Sequence, residues 1–166
     1  LDKAKKSFKN ILNMEPKNGL IWAEYGTVLT KLANYEEGRD AYLKALEFKP
    51  DSPRVHLSLG HVYKTMGEID NSIDSYKNTI LQNNLSGEAY WSLANLKTYS
   101  FSENEIIDME KTLKGDMSDI ERSQMHFALG KAYEVKKDFE TSFKNYFEGN
   151  KVKKGRVSKF LAEIGW

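Results

Sequence analysis

Apolar residues recur at helical spacing along most of the chain, and residues 53–84 show this pattern in its most complete form. A first helix is predicted to end at Gly67 and a second to begin near Ile69. The apolar faces consist of Val55, Leu59, Val62, Tyr63 and Met66 in the first helix and of Ile73, Tyr76 and Ile80 in the second. We expect an antiparallel helix pair in which the small residues Gly60 and Ser72 let the two backbones approach closely.

The same pattern repeats along the chain with a period close to 34 residues. The repeat aligns a glycine and a tyrosine in three places, at Gly26 and Tyr42, at Gly60 and Tyr76, and at Gly130 and Tyr146. The order of a bulky residue, Leu-Gly, an aromatic residue, a small residue, a second aromatic residue and Pro resembles the tetratricopeptide repeat. That resemblance implies an all-α fold, a right-handed superhelical solenoid of antiparallel helix hairpins.

The repeat boundaries predict one helical domain, residues 1–150, followed by a short basic segment. The domain is predicted to contain a half-repeat at 1–16 and repeats at about 19–50, 53–84, 87–115 and 118–150. The half-repeat supplies only the second helix of a pair and opens on Leu1, so we expect a fragment of a longer protein. Beyond Gly149, residues 151–166 are predicted to form a basic C-terminal capping helix or tail.

The repeat at 87–115 departs from the pattern, because residues 98–102 replace the short turn between its helices. Ser102 with Glu105, and Ser118 with Glu121, predict two capping boxes that open the following helices. Residues 87–150 resemble the end of the repeat region in bacterial tetratricopeptide-repeat sulfotransferases, where a sulfotransferase domain follows. The resemblance implies a module that presents a partner or substrate to a sulfotransferase domain. The catalytic residues of that family have no counterpart in this chain, so no sulfotransferase activity is assigned to it.

Composition narrows the classes of function. The 166 residues are 40% hydrophobic and 30% charged with a formal net charge of +1, so no global field favours nucleic acid or another acidic polymer. The absence of cysteine excludes disulfides, thiolate catalysis and zinc–thiolate sites. No apolar run reaches the roughly 18 residues that a membrane span needs, and no leader pattern opens the sequence. We expect a cytoplasmic protein without membrane contact.

Titratable residues do not converge on a catalytic or metal site. His56 and His126 occupy the same repeat position, where a side chain is expected to pack between helices. No two histidines stand four residues apart with a carboxylate between them, which is the spacing of a metal-binding helix. Acidic residues gather where helix N-termini favour negative charge. We therefore expect no catalytic residue, no metal site and no cofactor.

In a stack of helix pairs, the first helix of each pair lines a concave groove, and such grooves bind extended partners. By repeat position, the predicted groove residues are Thr27, Lys31, Leu57, His61, Lys64, Trp91, Asn95, Phe127 and Lys131. We expect Leu57, Trp91 and Phe127 to be hot spots, where truncation typically costs about 2 kcal/mol or more of binding free energy. The basic side chains suit an acidic segment or a C-terminal carboxylate. Alternatively, Trp91 and Phe127 pack against the irregular turn from Tyr99 to Phe101 or against the C-terminal segment and fill the groove.

The predicted function is a non-catalytic scaffold that binds a protein or an extended peptide. The alternative is the presenting module of a sulfotransferase whose catalytic domain is absent from this chain. A third hypothesis is a homodimer formed through the exposed half-repeat. Nucleic-acid binding is not favoured, because the basic cluster is confined to the end of an electrically balanced chain.

Overall fold

The computed structural model describes the backbone of residues 1–163 and the side chains of residues 1–156 and 158. Within them are α-helices and no β-strand, which confirms the predicted all-α class. The helices are α1 (Asp2–Met14), α2 (Gly19–Lys31), α3 (Tyr35–Phe48), α4 (Pro53–Met66), α5 (Ile69–Gln82), α6 (Gly87–Ala94), α7 (Glu103–Leu113), α8 (Asp119–Val135) and α9 (Phe139–Glu163). None of the helices in this described part is long and apolar enough to cross a membrane. The chain divides into two compact units, Leu1–Gln82 and Asn83–Trp166.

The first unit consists of two helix pairs and a leading helix. Helices α2 and α3 form one pair, α4 and α5 the next, and α1 packs on α2. Two buried clusters hold these helices together, and they consist of Leu12, Tyr25, Leu29 and Ala41 in one and of Tyr42, Ala45, Val55, Leu59 and Val62 in the other. Each cluster draws residues from successive helices, so a pair buries its apolar stripe only when its neighbour is present.

Close approach within the α4–α5 pair depends on the two small residues that the sequence singled out. A Cβ atom on Gly60 would lie 2.4 Å from the ring of Tyr76, which is fully buried. The hydroxyl of Ser72 donates a hydrogen bond to the Gly60 carbonyl at 2.9 Å. Gly67 ends α4 with φ +80°, a left-handed conformation that favours glycine. The predicted contact is confirmed.

The second unit contains the same glycine–tyrosine contact and serine hydrogen bond once, between α8 and α9. A Cβ atom on Gly130 would lie 2.9 Å from the ring of Tyr146, and Ser142 donates to the Gly130 carbonyl at 2.7 Å. The predicted pair at 87–115 is different, because α6 has only 8 residues and packs on α8 rather than pairing with α7. The irregular segment after α6 buries Phe101 against Tyr90, with ring centroids 6.4 Å apart.

The two predicted capping boxes have different outcomes. At α7, Ser102 accepts from the Glu105 amide and Glu105 accepts from the Ser102 amide, so that box is confirmed. At α8, Ser118 accepts from the Glu121 amide at 3.2 Å, but the Glu121 carboxylate accepts from the amide of Gly87 instead. The second box is therefore half formed, because its carboxylate fixes the start of α6 onto α8.

The end of the chain also differs from the prediction. Helix α9 has 25 residues and runs through Gly149 and Gly155 to Glu163. Gly149 does not stop it because this glycine is buried against Phe127, where a Cβ atom would lie 2.8 Å from the ring. Residues 151–163 thus continue the second helix of the last pair rather than forming a separate capping helix. The prediction for residues 164–166 lies outside the described residues.

Candidate partner-binding surfaces

The predicted groove residues of the first unit lie on α2 and α4, and two of them are engaged within the fold. The Thr27 hydroxyl donates to the Ala23 carbonyl at 3.1 Å and lies 3.1 Å from the hydroxyl of Tyr42. One repeat later, Nδ1 of His61 lies 2.9 Å from the hydroxyl of Tyr76, and the two rings meet edge to face. Thr27 and His61 therefore orient the tyrosines that pack on the repeat glycines.

The other three predicted residues of this unit are available to a partner. Lys31 and Lys64 are exposed, and Leu57 is partly buried. A shallow cavity of about 190 Å³ lies nearby and is lined in part by Ser58, His61 and Thr65 of α4. Lys31 and Lys64 do not line this cavity, whose lining also includes Tyr42 and Val62, and α2 and α4 contribute no aromatic side chain to the exposed large hydrophobic residues of the described chain.

The predicted residues of the second unit contain an aromatic pair. Trp91 of α6 and Phe127 of α8 are both partly buried, with ring centroids 5.7 Å apart. That separation is within the range of favourable aromatic pairs. The pair forms one wall of a cavity of about 230 Å³ that is also lined by Asp119, Ile120, Ser123 and Gln124 of α8 and by Lys153 and Arg156 of α9.

Phe127 packs against α9 at Gly149, which lies within the predicted last repeat rather than in the C-terminal segment. Its ring lies over Gly149, and the neighbouring Ser123 hydroxyl donates to the Gly149 carbonyl at 2.9 Å. The aromatic pair nevertheless leaves a cavity open beside it rather than filling the surface. Phe127 thus combines a packing role with an accessible edge.

The remaining two predicted residues bond within their own helices. The side-chain amide of Asn95 donates to the Trp91 carbonyl at 2.7 Å, at the end of α6. Lys131 lies 3.0 Å from Glu134, which also accepts a hydrogen bond from the Tyr146 hydroxyl at 2.9 Å. Lys131 and then Tyr146 lower the pKa of Glu134, while burial and this bond raise the pKa of Tyr146 to about 12. Neither Asn95 nor Lys131 lines the aromatic cavity.

Sequence reasoning missed the two cations of this cavity. The sequence places Lys153 and Arg156 in the predicted basic C-terminal capping helix or tail, and not beside the groove residues. A continuous α9 places residues 146, 149, 153 and 156 along one side, since they are three or four positions apart. This spacing can be read from the sequence once a continuous helix is assumed. Helix α9 continues through Gly149 because this glycine packs closely on Phe127 of α8.

The histidines do not form a catalytic or metal-binding group. Nε2 of His56 lies 3.3 Å from the Pro50 carbonyl, and burial lowers the pKa of His56. Nδ1 of His126 lies 3.0 Å from the side-chain oxygen of Asn145 on the paired helix. No group of three His, Asp or Glu side chains in the described part of the chain could hold a metal ion. Both histidines make structural contacts, as expected for their repeat position.

Comparison with known proteins agrees with this geometry. Residues 26–67 match the family model described as TPR repeat. The chain is 29% identical over 125 residues to the peroxisomal targeting signal receptor of Candida albicans, a match that covers 75% of this chain and 20% of the receptor. The chain therefore spans about a fifth of that relative.

Solved structures show the same fold at low sequence identity. A crystal structure of MamA superposes with a TM-score of 0.73 at 18% identity, covering 95% of this chain and 91% of MamA. PilF of Pseudomonas aeruginosa superposes with a TM-score of 0.61 at 18% identity, covering 95% of this chain and 72% of PilF. None of these three proteins is described as an enzyme.

None of the three is described as a sulfotransferase either, so the narrower resemblance of residues 87–150 stays a hypothesis. The matched residues 26–67 contain the first Gly–Tyr contact, at Gly26 and Tyr42, and reach the glycine that ends α4. Residues 26–67 therefore match a TPR repeat, and the described residues have the helical fold of TPR-like structures.

Proposed function

We propose that this chain is a protein-interaction scaffold that binds an extended peptide or a partner protein through its first-helix residues. The observation that carries the proposal is the partly exposed pair of Trp91 and Phe127 beside an open cavity of about 230 Å³. Aromatic side chains at such positions supply most of the binding energy in protein interfaces. The cavity beside the two rings gives one partner side chain a place to be buried.

The comparisons support this class of partner. The Candida relative is named as the receptor of a targeting signal, and a protein signal is the kind of ligand that a helical repeat can bind. In the first unit, Leu57 with the exposed Lys31 and Lys64 would contact the partner directly. Thr27 and His61 would act by positioning, because their polar atoms already bond to tyrosines of the fold.

The test is a pull-down from an extract of the source organism with quantitative mass spectrometry. The variant Trp91→Ala/Phe127→Ala is compared with the parent and with Phe143→Ala, which removes a ring that is 71% exposed on α9 and does not line the cavity. Leu57→Ala tests the first unit separately. Circular dichroism establishes that each variant is folded.

We expect the parent and Phe143→Ala to capture the same specific proteins and Trp91→Ala/Phe127→Ala to lose them. A loss only in Leu57→Ala would move the site to the first unit. An unchanged set of captured proteins with all folded variants would refute the proposal.

The hypothesis of a homodimer concerns α1. Leu12 faces the core, whereas Leu1 and Met14 are exposed. These apolar side chains could contact a second copy, and the hypothesis predicts a doubled mass in light scattering that Met14→Glu returns to that of a monomer. A monomer mass for the parent at all concentrations would exclude it.

A further inference from the structure

The cavity beside Trp91 and Phe127 has a charged side that the sequence did not indicate. Lys153 and Arg156, both exposed on α9, line it together with the carboxylate of Asp119. Neither cation forms an ion pair with another side chain among the described residues. Two cations against one carboxylate give the cavity a positive balance, although the whole chain is close to neutral with a net charge of +1.

A second observation concerns hydrogen bonding in the same cavity. The side-chain oxygen of Gln124 is buried and has no hydrogen-bond donor among the described residues. Gln124 lines the cavity, between the aromatic pair and the start of α8. A buried oxygen without a donor is unfavourable by roughly 1–3 kcal/mol, so Gln124 gains if its side chain turns toward the cavity and accepts from an N–H group of a ligand.

We propose that this cavity binds an acidic segment of a partner protein. An apolar side chain of the segment lies against Trp91 and Phe127, a backbone N–H donates to Gln124, and flanking carboxylates pair with Lys153 and Arg156. The proposal rests on the proposed function, since it names the chemistry of the partner for the same surface. It adds the cations of α9 and the amide of α8 as determinants of specificity.

The lining favours a peptide over a nucleic acid. Aromatic rings and cations can also stack a base and contact a phosphate. Asp119 repels a carboxylate as it repels a phosphate, so charge does not decide between the two. The amide oxygen of Gln124 favours the peptide, because an extended peptide offers regularly spaced N–H groups. Binding of a nucleic acid is therefore an outcome that would overturn the proposal.

The experiment measures fluorescence anisotropy of three labelled probes with the full chain at low salt. The probes are the acetylated and amidated pentapeptides Glu-Glu-Phe-Glu-Glu and Gln-Gln-Phe-Gln-Gln, and a short oligothymidylate. We expect the acidic peptide to bind about tenfold more tightly than the neutral one, because two charge-assisted contacts form only with carboxylates. The difference should shrink at high salt, since the cations are exposed.

A charge-matched pair of variants separates a specific contact from the general field. Lys153→Glu/Arg156→Glu should abolish the preference for the acidic peptide. Lys151→Glu/Lys154→Glu makes a charge change of the same size on exposed residues of the same helix that do not line the cavity, and should preserve the preference. Gln124→Met should weaken both peptides by roughly fivefold, because their N–H group loses its acceptor.

The outcomes distinguish the two proposals. If both peptides bind equally and Trp91→Ala removes both, the scaffold function stands and the acidic preference is wrong. If neither peptide binds, while the pull-down also shows no dependence on Trp91, both proposals fail. If the control pair abolishes the preference as strongly as Lys153→Glu/Arg156→Glu, or the oligothymidylate binds more tightly than the acidic peptide, the inference is overturned.

Discussion

Replacing Gly60 by alanine tests the contact on which the helix pairs depend. A Cβ atom at this position would lie 2.4 and 2.5 Å from two ring carbons of Tyr76 and 3.0 Å from a third. Tyr76 is fully buried, and its hydroxyl is held 2.9 Å from Nδ1 of His61. The ring is therefore restrained at both ends, and α4 and α5 must separate to admit the methyl group.

Two effects of opposite sign determine the magnitude. Alanine is preferred over glycine inside a helix by about 1 kcal/mol. Overpacking a well-filled site costs typically about 1–3 kcal/mol, and a contact as short as this one belongs at the upper end. We expect Gly60→Ala to reduce the free energy of unfolding by about 2 kcal/mol.

The assay is urea denaturation followed by circular dichroism, with Gly155→Ala as the matched control. Gly155 is also helical, but no atom of the described residues lies within 4 Å of the Cβ that it would carry. The control should keep the propensity gain of about 1 kcal/mol without the clash. Equal stabilisation of both variants would refute the close-contact argument. Combining Gly60→Ala with Tyr76→Leu should recover part of the loss if the ring is its cause.

Three further predictions use the same denaturation assay. Ser72→Ala should cost about 1 kcal/mol, because it removes the buried hydrogen bond to the Gly60 carbonyl, and an unchanged midpoint would contradict this role. Burial lowers the pKa of His56 from 6.5, so the unfolded chain binds more protons than the folded chain, and the free energy of unfolding should fall as the pH drops through and below 6.5. The variant His56→Gln should reduce this dependence of stability on pH. An unchanged dependence would show that His56 is not its source. Gly87→Ala should cost roughly 3 kcal/mol or more, because its Cβ would lie 2.2 Å from the Glu121 carbonyl oxygen, and parent-like stability would show that α6 can shift.

The repeating parts of the fold could be predicted from sequence because one local pattern determines each of them. A glycine, a tyrosine 16 residues later and a small residue between them give the same contact at Gly60 and at Gly130. The period of about 34 residues then indicates how many times the contact recurs. Helix starts with a Ser-x-x-Glu sequence were also predictable, as α7 shows.

The candidate site was predicted only in part, because its residues are brought together by interactions that have no local signature. Trp91 and Phe127 lie on α6 and α8, and repeat position gives no reason to expect the contact between their rings. The carboxylate of Glu121 could bond its own helix start or another backbone amide, and the sequence does not decide between the two. Lys31 lies four residues after Thr27 on the same side of α2, yet Lys31 is exposed whereas Thr27 bonds within the fold, and helical spacing alone does not distinguish the two.

The irregular repeat and the aromatic cavity have a common physical origin. Gly87 lies so close to the backbone of Glu121 that α6 rests directly on α8, and the Glu121 carboxylate holds the Gly87 amide there. One helical turn after Gly87, Trp91 therefore meets Phe127, which lies one turn after Ser123 on α8. A regular α6–α7 hairpin would place α7 against α6 and would not require this approach. The departure from the repeat thus creates the aromatic wall, and the uninterrupted α9 adds the two cations.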